Sequence, residues 1–231
     1  VADVNGTAIV TGGTGGLGVF VVERLLADGW RVVVPWVVEQ ELDRVHNHKA
    51  LELVQADLFD PDSVAEVFAA AAGGPPVRGL VNLVGGFAAG GRVHETPIEQ
   101  FERQFEVNLR PTYLMTQGAL GVMLEEDGGS IVCVGTRAAL QPFSGAAGYA
   151  SSKAAVITFA HAVSVEYRHD GIRCNAILPS VIDTPANRAS MPDADVERWV
   201  KPAEIAKVIA FLLSDDSAPI SGAAIPVYGR A

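Results

Sequence analysis

Thr7-Ala8-Ile9-Val10-Thr11-Gly12-Gly13-Thr14-Gly15-Gly16-Leu17-Gly18 runs straight into Val19-Phe20-Val21-Val22-Glu23-Arg24-Leu25-Leu26-Ala27, so a strand-like apolar run meets a helical stretch through a turn of glycines. Glycines let the backbone turn tightly and come close to a pyrophosphate, whose charge then meets unsatisfied N–H groups at the positive end of the helix. A glycine-rich turn alone says little, but between strand and helix it points to a dinucleotide-binding α/β fold. Working outward, the strand near 7 to 11 is followed by Val-rich runs near 31 to 35, 51 to 55, 78 to 83, 130 to 134, 172 to 178 and 223 to 228. These alternate with helical stretches, the pattern of a parallel sheet covered on both faces. Several, such as Ile131-Val132-Cys133-Val134, are apolar throughout, as doubly buried strands are. The expected fold is a single-domain, Rossmann-like α/β unit over residues 1–231: a doubly wound, parallel, seven-stranded sheet with helices on both faces.

Composition agrees. A chain of 231 residues suits one α/β domain, and 49% apolar against 19% charged residues suits a large interior. The net charge of −10 is spread along the chain, which argues against a nucleic-acid partner because phosphate contacts need a basic face. No basic segment followed by an apolar run opens the chain, so no secretory signal is expected, and no stretch is apolar and long enough to span a bilayer. Cys133 and Cys174 each lie in a strand-like run and read as buried core thiols, which suits a cytoplasmic setting. His46, His48, His94, His161 and His169 lack companions at metal-binding spacing, so no metal site is expected.

Helix starts are marked by Asp60-Pro61 and by Thr96-Pro97-Ile98-Glu99, the latter with the pattern of a capping box. Beyond it, Ile98, Phe101, Phe105 and Leu109 recur at helical spacing and predict one buried face. Gly73-Gly74-Pro75-Pro76 and Asp127-Gly128-Gly129 end helices before strands. Residues 184–202 interrupt the rhythm and carry Pro185, Met191, Pro192 and Trp199; we read them as a substrate lid, with a surface cover as the alternative.

Tyr149-Ala150-Ser151-Ser152-Lys153 places a phenol and an ammonium on one helix face. A cation beside a tyrosine stabilises the phenolate and brings proton exchange closer to neutral pH. Alone, the pair is equally compatible with a solvated helix surface. Thr136, just past the strand at 130 to 134, lies where parallel sheets present ligand-binding groups, Asn108 sits on the helix after Thr96, and Asn82-Leu83-Val84-Gly85 follows the fourth strand.

Together with Thr11-Gly12-x-x-x-Gly16-x-Gly18, these features resemble the short-chain dehydrogenase/reductase family over nearly the whole chain. The resemblance implies an oxidoreductase that transfers a hydride between NAD or NADP and a small carbonyl or alcohol substrate. It implies that Tyr149 is the general acid/base, that Lys153 holds the nicotinamide ribose and lowers the Tyr149 pKa, that Thr136 positions the substrate oxygen, and that Asn108 anchors a water leading to Lys153. For the cofactor it implies Gly12, Thr14, Gly16, Leu17, Gly18, Trp36, Asp57, Leu58, Asn82, Gly85, Pro179, Ile182 and Thr184 besides Tyr149 and Lys153, although Asp57 also reads as an ordinary strand-end cap. Phe87, Arg137 and Trp199 are candidates for the substrate pocket, with core packing for Phe87 and Trp199 and a surface ion pair for Arg137 as the alternatives. A homodimer or homotetramer is implied through the helices that run from Ile98 and Gly148, and Ala223 to Tyr228 would suit an interface too.

Two departures bear on function. Threonine replaces the usual serine at 136 and keeps the hydroxyl. Trp36 stands where an aspartate normally holds the adenosine ribose of NAD, and neither Gly15 nor Val37 supplies the basic residue common with NADP. NAD and NADP therefore stay open and weak discrimination is expected, with nearby Glu39 tilting slightly towards NAD. Val37-Val38-Glu39, Gly85-Gly86-Phe87, Ala138-Ala139-Leu140 and the run from Asp183 to Asp195 are also similar to the dihydropteridine reductase branch, which makes reduction of a quinonoid pterin the alternative. The hydroxyl at 136 and the loss of the acid at 36 favour carbonyl or alcohol chemistry. A non-catalytic dinucleotide sensor is the reading from another class, and Tyr149, Lys153, Asn108 and Thr136 speak against it.

Overall fold

The computed structural model describes residues 6–126 and 128–230. Asp127 of the expected helix-ending turn, Ala231 at the end of the domain, and the first five residues of the segment read as carrying no secretory signal lie outside the described residues. Seven parallel strands, β1 (Thr7–Thr11), β2 (Arg31–Trp36), β3 (Leu51–Gln55), β4 (Val77–Asn82), β5 (Gly129–Val134), β6 (Ile172–Pro179) and β7 (Ala224–Val227), form one sheet in the order β3-β2-β1-β4-β5-β6-β7. The doubly wound seven-stranded fold expected from the sequence is therefore present.

Alternation along each strand divides the core. Ile9, Leu80, Ile131 and Cys133 face helices α2 (Pro61–Ala71), α3 (Ile98–Met123) and α4 (Ala147–Glu166), while Ala8, Val10, Val81 and Val132 face α1 (Gly18–Ala27) and α6 (Pro202–Leu213). Successive residues of a strand point to opposite faces, so runs without polar residues can feed both layers. Cys133 and Cys174 are both buried and unpaired by any disulfide, in keeping with core thiols. No helix among the described residues is long and apolar enough to cross a membrane.

The order of strands reverses beside β1, which pairs with β2 on one side and β4 on the other. Helical connections leave the carboxyl ends of β1 and β4 in opposite directions there, opening a crevice. Thr11 ties its two lips together: its hydroxyl accepts from the N–H of Leu83 (3.0 Å) and of Val84 (3.2 Å).

Local expectations at α3 need correction. Asp60 caps α2 by accepting from the Asp62 N–H, but Thr96 does not cap α3; its hydroxyl donates to the carbonyls of Gly91 and Arg92 (both 3.1 Å), and Pro97 is the residue before the helix. The stripe Ile98, Phe101, Phe105, Leu109 is not the buried face either: Ile98 is 58% exposed and the other three are half-buried. The face turned inward carries Gln104, Asn108, Met115, Ala119 and Met123, because α3 must pack against α4 as well as the sheet. Of the stripe, Leu109 packs against the core, while Ile98, like Tyr113 further along α3, stays exposed.

Candidate active site

The glycine-rich turn is built by backbone alone. Gly12 has φ +63°, and a Cβ on Gly18 would lie 2.0 Å from the Gly12 carbonyl oxygen and 2.6 Å from the Gly13 Cα, so only hydrogen fits. No side chain caps α1 and no acid stands in its first turn, so its positive end is open to an anion. Gly12, Thr14, Gly16, Leu17 and Gly18 make this cradle, and Thr184 closes on it, its Cγ2 3.2 Å from where a Gly16 Cβ would be. A nicotinamide dinucleotide fits these features.

Trp36 ends β2, and Asp57 follows β3 with its Oδ1 accepting from the Phe59 N–H at 3.0 Å, the strand-end cap that was the alternative reading. Leu58 is buried in the core. Glu39 is exposed in a short 3-10 helix (Glu39–Arg44) and does not reach the turn; Glu41 does, its Oε2 accepting from the Thr14 hydroxyl at 2.7 Å. A 3-10 helix advances about a third of a turn per residue, so Glu39 and Glu41 point in different directions. Asn82 ends β4 with its side chain 3% exposed, donating inward to Thr116 Oγ1 (3.1 Å) and Cys133 Sγ (3.7 Å). Pro179 is buried at the end of β6, and Ile182 forms a parallel bridge with Val200 that closes the base of the 184–202 excursion. That excursion contains helix α5 (Pro185–Ser190), started by Thr184, whose hydroxyl accepts from the Asn187 N–H at 3.3 Å.

Side chains build the second half of the site. Lys153 is 7% exposed on α4, and its Nζ donates to the Val134 carbonyl at 2.9 Å. Burial lowers its pKa to about 8, with the neighbouring Cys133 thiol opposing the shift. Asn108 is fully buried on α3: its Oδ1 accepts from the Gly86 N–H (3.0 Å), and its Nδ2 donates to the Gly86 carbonyl (3.1 Å) and to Ser152 Oγ (3.0 Å). Ser152 Oγ donates in turn to the Tyr149 carbonyl at 2.9 Å, a link in the site that the sequence reading overlooked although Ser152 lies between Tyr149 and Lys153. A Cβ on Gly85 would lie 2.6 Å from Asn108 Oδ1 and 3.0 Å from Lys153 Nζ, so the bare glycine lets those two groups converge.

The Tyr149 phenol lies beside the Thr136 side chain, whose hydroxyl accepts from the Ala138 N–H at 3.3 Å. Burial raises the Tyr149 pKa, and the neighbouring Thr136 side chain only partly offsets this. Lys153, expected to lower it, has its ammonium engaged by Val134 and is itself disfavoured by burial. The Phe87 ring stands edge-on to Tyr149 at 4.9 Å between centroids and near Phe143 at 6.4 Å; Phe87 is 65% exposed, which excludes core packing. Phe143 was not singled out from the sequence, since nothing local marks it. Arg137 lies over the Tyr228 ring, 5.0 Å from its centroid, and donates to Gln141 rather than forming an ion pair. Trp199 is 8% exposed, as its packing alternative requires. A separate cavity of about 360 Å³ lies between Ala88–Gly91, Phe101, Gln104 and Gly148, on the loops that carry Phe87 and Tyr149.

The short chain dehydrogenase family model matches residues 6–195. This chain belongs to that family. It is 32% identical over 241 residues to 2-(R)-hydroxypropyl-CoM dehydrogenase of Xanthobacter autotrophicus, covering 96% of each chain, and 31% identical over 239 residues to the 3-oxoacyl-[acyl-carrier-protein] reductase MabA of Mycobacterium bovis, covering 98% of this chain and 92% of that one. Among solved structures, the 3-ketoacyl-(acyl-carrier-protein) reductase of Brucella melitensis complexed with NADH superposes with a TM-score of 0.86 at 28% identity, covering 97% of this chain and 98% of that one. As a short-chain dehydrogenase/reductase the chain is an NAD(P)-dependent oxidoreductase.

Proposed function

We propose that this short-chain dehydrogenase/reductase interconverts a ketone and the corresponding alcohol, with Tyr149 as general acid/base. The observation that carries this reading is the meeting of the Tyr149 and Thr136 side chains at the mouth of a corner backed by buried Lys153. When bound, the nicotinamide cofactor supplies or takes up the hydride. Thr136 Oγ and Tyr149 Oη together grip the substrate oxygen. Because burial keeps the Tyr149 phenol protonated at neutral pH, Tyr149 holds a proton ready for the oxygen as its charge develops during reduction, and takes it back in the reverse direction. Lys153, one helical turn away and charged below about pH 8, stabilises the phenolate left behind and can return a proton to it. Asn108 holds the 85–86 loop and Ser152 in place and keeps a free lone pair on Oδ1 for a water between it and Lys153. Phe87 and Phe143, both exposed at the phenol, suit a substrate with an apolar or aromatic body, and the 184–202 excursion serves as its lid.

The test is Tyr149→Phe, which should keep cofactor affinity within a few-fold while lowering kcat by about 100-fold or more. Turnover would be followed with NADH and NADPH on ketones, quinones and a quinonoid dihydropterin. A variant that turns over within a few-fold of wild type on the best substrate removes Tyr149 from the mechanism.

A further inference from the structure

We propose that Glu41 makes this enzyme select NADH over NADPH, taking over from the 3-10 helix the role that Trp36 cannot fill at the end of β2. The proposal rests on the reading that the glycine-rich turn binds a dinucleotide. With an indole at position 36, no carboxylate stands at the carboxyl end of β2, yet the chain continues into Glu39–Arg44 and brings one back from another direction. Glu41 Oε2 accepts from the Thr14 hydroxyl at 2.7 Å, and Thr14, in the turn itself, is only 4% exposed. Glu41 Oε1 accepts from Arg44 Nη1 at 3.0 Å. The carboxylate is thus oriented at both oxygens, 30% exposed, and placed on the β2 side of the phosphate turn.

Two consequences follow from that geometry. Each oxygen has one contact and a remaining lone pair, so the carboxylate can accept from ribose hydroxyls without giving up its anchors. A 2′-phosphate brought to the same place meets a negative charge and adds about 1.5 to 2 of its own. Arg44 is already held by Glu41 and is not free to receive that phosphate. Glu41 therefore acts twice against NADPH, by repulsion and by occupying the guanidinium. Glu39, exposed at the start of the same 3-10 helix, makes no comparable contact with the turn and serves as the control.

The measurement is the Kd of NADH and of NADPH, by isothermal titration or nicotinamide fluorescence, which needs no substrate. Wild type should bind NADH at least about 10-fold more tightly than NADPH, and the gap should narrow in high salt, which screens charge. Glu41→Gln keeps an acceptor for Thr14 and removes the charge; it should tighten NADPH by about 10-fold and change NADH by less than about 5-fold. Adding Arg44→Gln should cancel part of the NADPH gain, and Glu39→Gln should leave both constants alone. Equal shifts for both cofactors in Glu41→Gln, no shift for either, or a wild type that binds both alike would overturn the proposal. Thermal midpoints taken alongside identify a misfolded variant, in which case the salt dependence of the wild-type ratio decides. Wild type that binds neither dinucleotide would instead sink the reading of the turn, and this proposal with it.

Discussion

The two halves of the site are made of different material. Around Gly12–Gly18 the ligand would meet backbone N–H groups and a helix end, and the sequence requirement is for the absence of side chains. Around Tyr149 it would meet side chains drawn from α3, α4 and the loops after β4 and β5, each locked by another: Asn108 by Gly86 and Ser152, Lys153 by Val134, Thr136 by Ala138. A backbone site is specified locally by sterics, and its failure is all-or-none. A side-chain site is specified by packing between distant segments and stores unfavourable terms, here a buried ammonium, that a merely stable protein would discard.

Gly18→Ala tests the backbone half and should have the largest effect. Its methyl would meet the Gly12 carbonyl at 2.0 Å, so the turn must open and the affinity for either dinucleotide should fall by more than about 100-fold, read directly as Kd. Retained affinity would mean that the turn does not bind the cofactor through its closed form. Gly85→Ala tests the join between the halves. The Lys153 ammonium can swing aside but Asn108 is fixed by Gly86, so kcat should drop by about 10-fold or more while cofactor Kd moves less; a loss confined to cofactor Kd would assign Gly85 to the backbone half.

The smallest effect is on stability, and its sign is opposite. Lys153 titrates at about 8 in the folded chain and near 10.5 when unfolded, so below pH 8 the unfolded state holds the proton more tightly and the folded state is disfavoured by about 3 kcal/mol. The penalty shrinks as pH rises from 8 and is gone above about 10.5. Lys153→Met removes it at the cost of one hydrogen bond to Val134, worth about 1 kcal/mol, so the cofactor-free variant should melt about 5 °C higher at pH 7 with no gain near pH 10.5. An inactive variant that is also less stable at pH 7 would show that the buried ammonium stabilises the fold instead of burdening it.

Much of this was legible in the chain. The strand at 7 to 11 and its six successors lie within about a residue or two of where alternation and apolar runs put them, most clearly in the central strands, which are buried on both faces and mostly apolar. The glycine turn was legible for the same steric reason, and the Tyr149/Lys153 pair because helical spacing fixes which residues share a face. What failed depended on the choice among several polar partners or apolar neighbours. The Thr96 hydroxyl had two kinds of partner within reach and took carbonyls of the preceding loop. Ile98 and Phe105 have helical periodicity, but the orientation of α3 was settled by its contact with α4, which buries Gln104 and Asn108.

By itself, then, the amino-acid order determined the sheet, the glycine-rich turn and the helix face that Tyr149 and Lys153 share, since these follow from local sterics and periodicity. Only the tertiary structure decided that Glu41 rather than Glu39 reaches the turn, that Asn82 points into the core, and that burial raises Tyr149 and lowers Lys153. The physical reason is range: a backbone conformation is set by a residue and its neighbours, whereas a hydrogen-bond partner or a desolvated charge is set by whatever distant segments the fold packs against it.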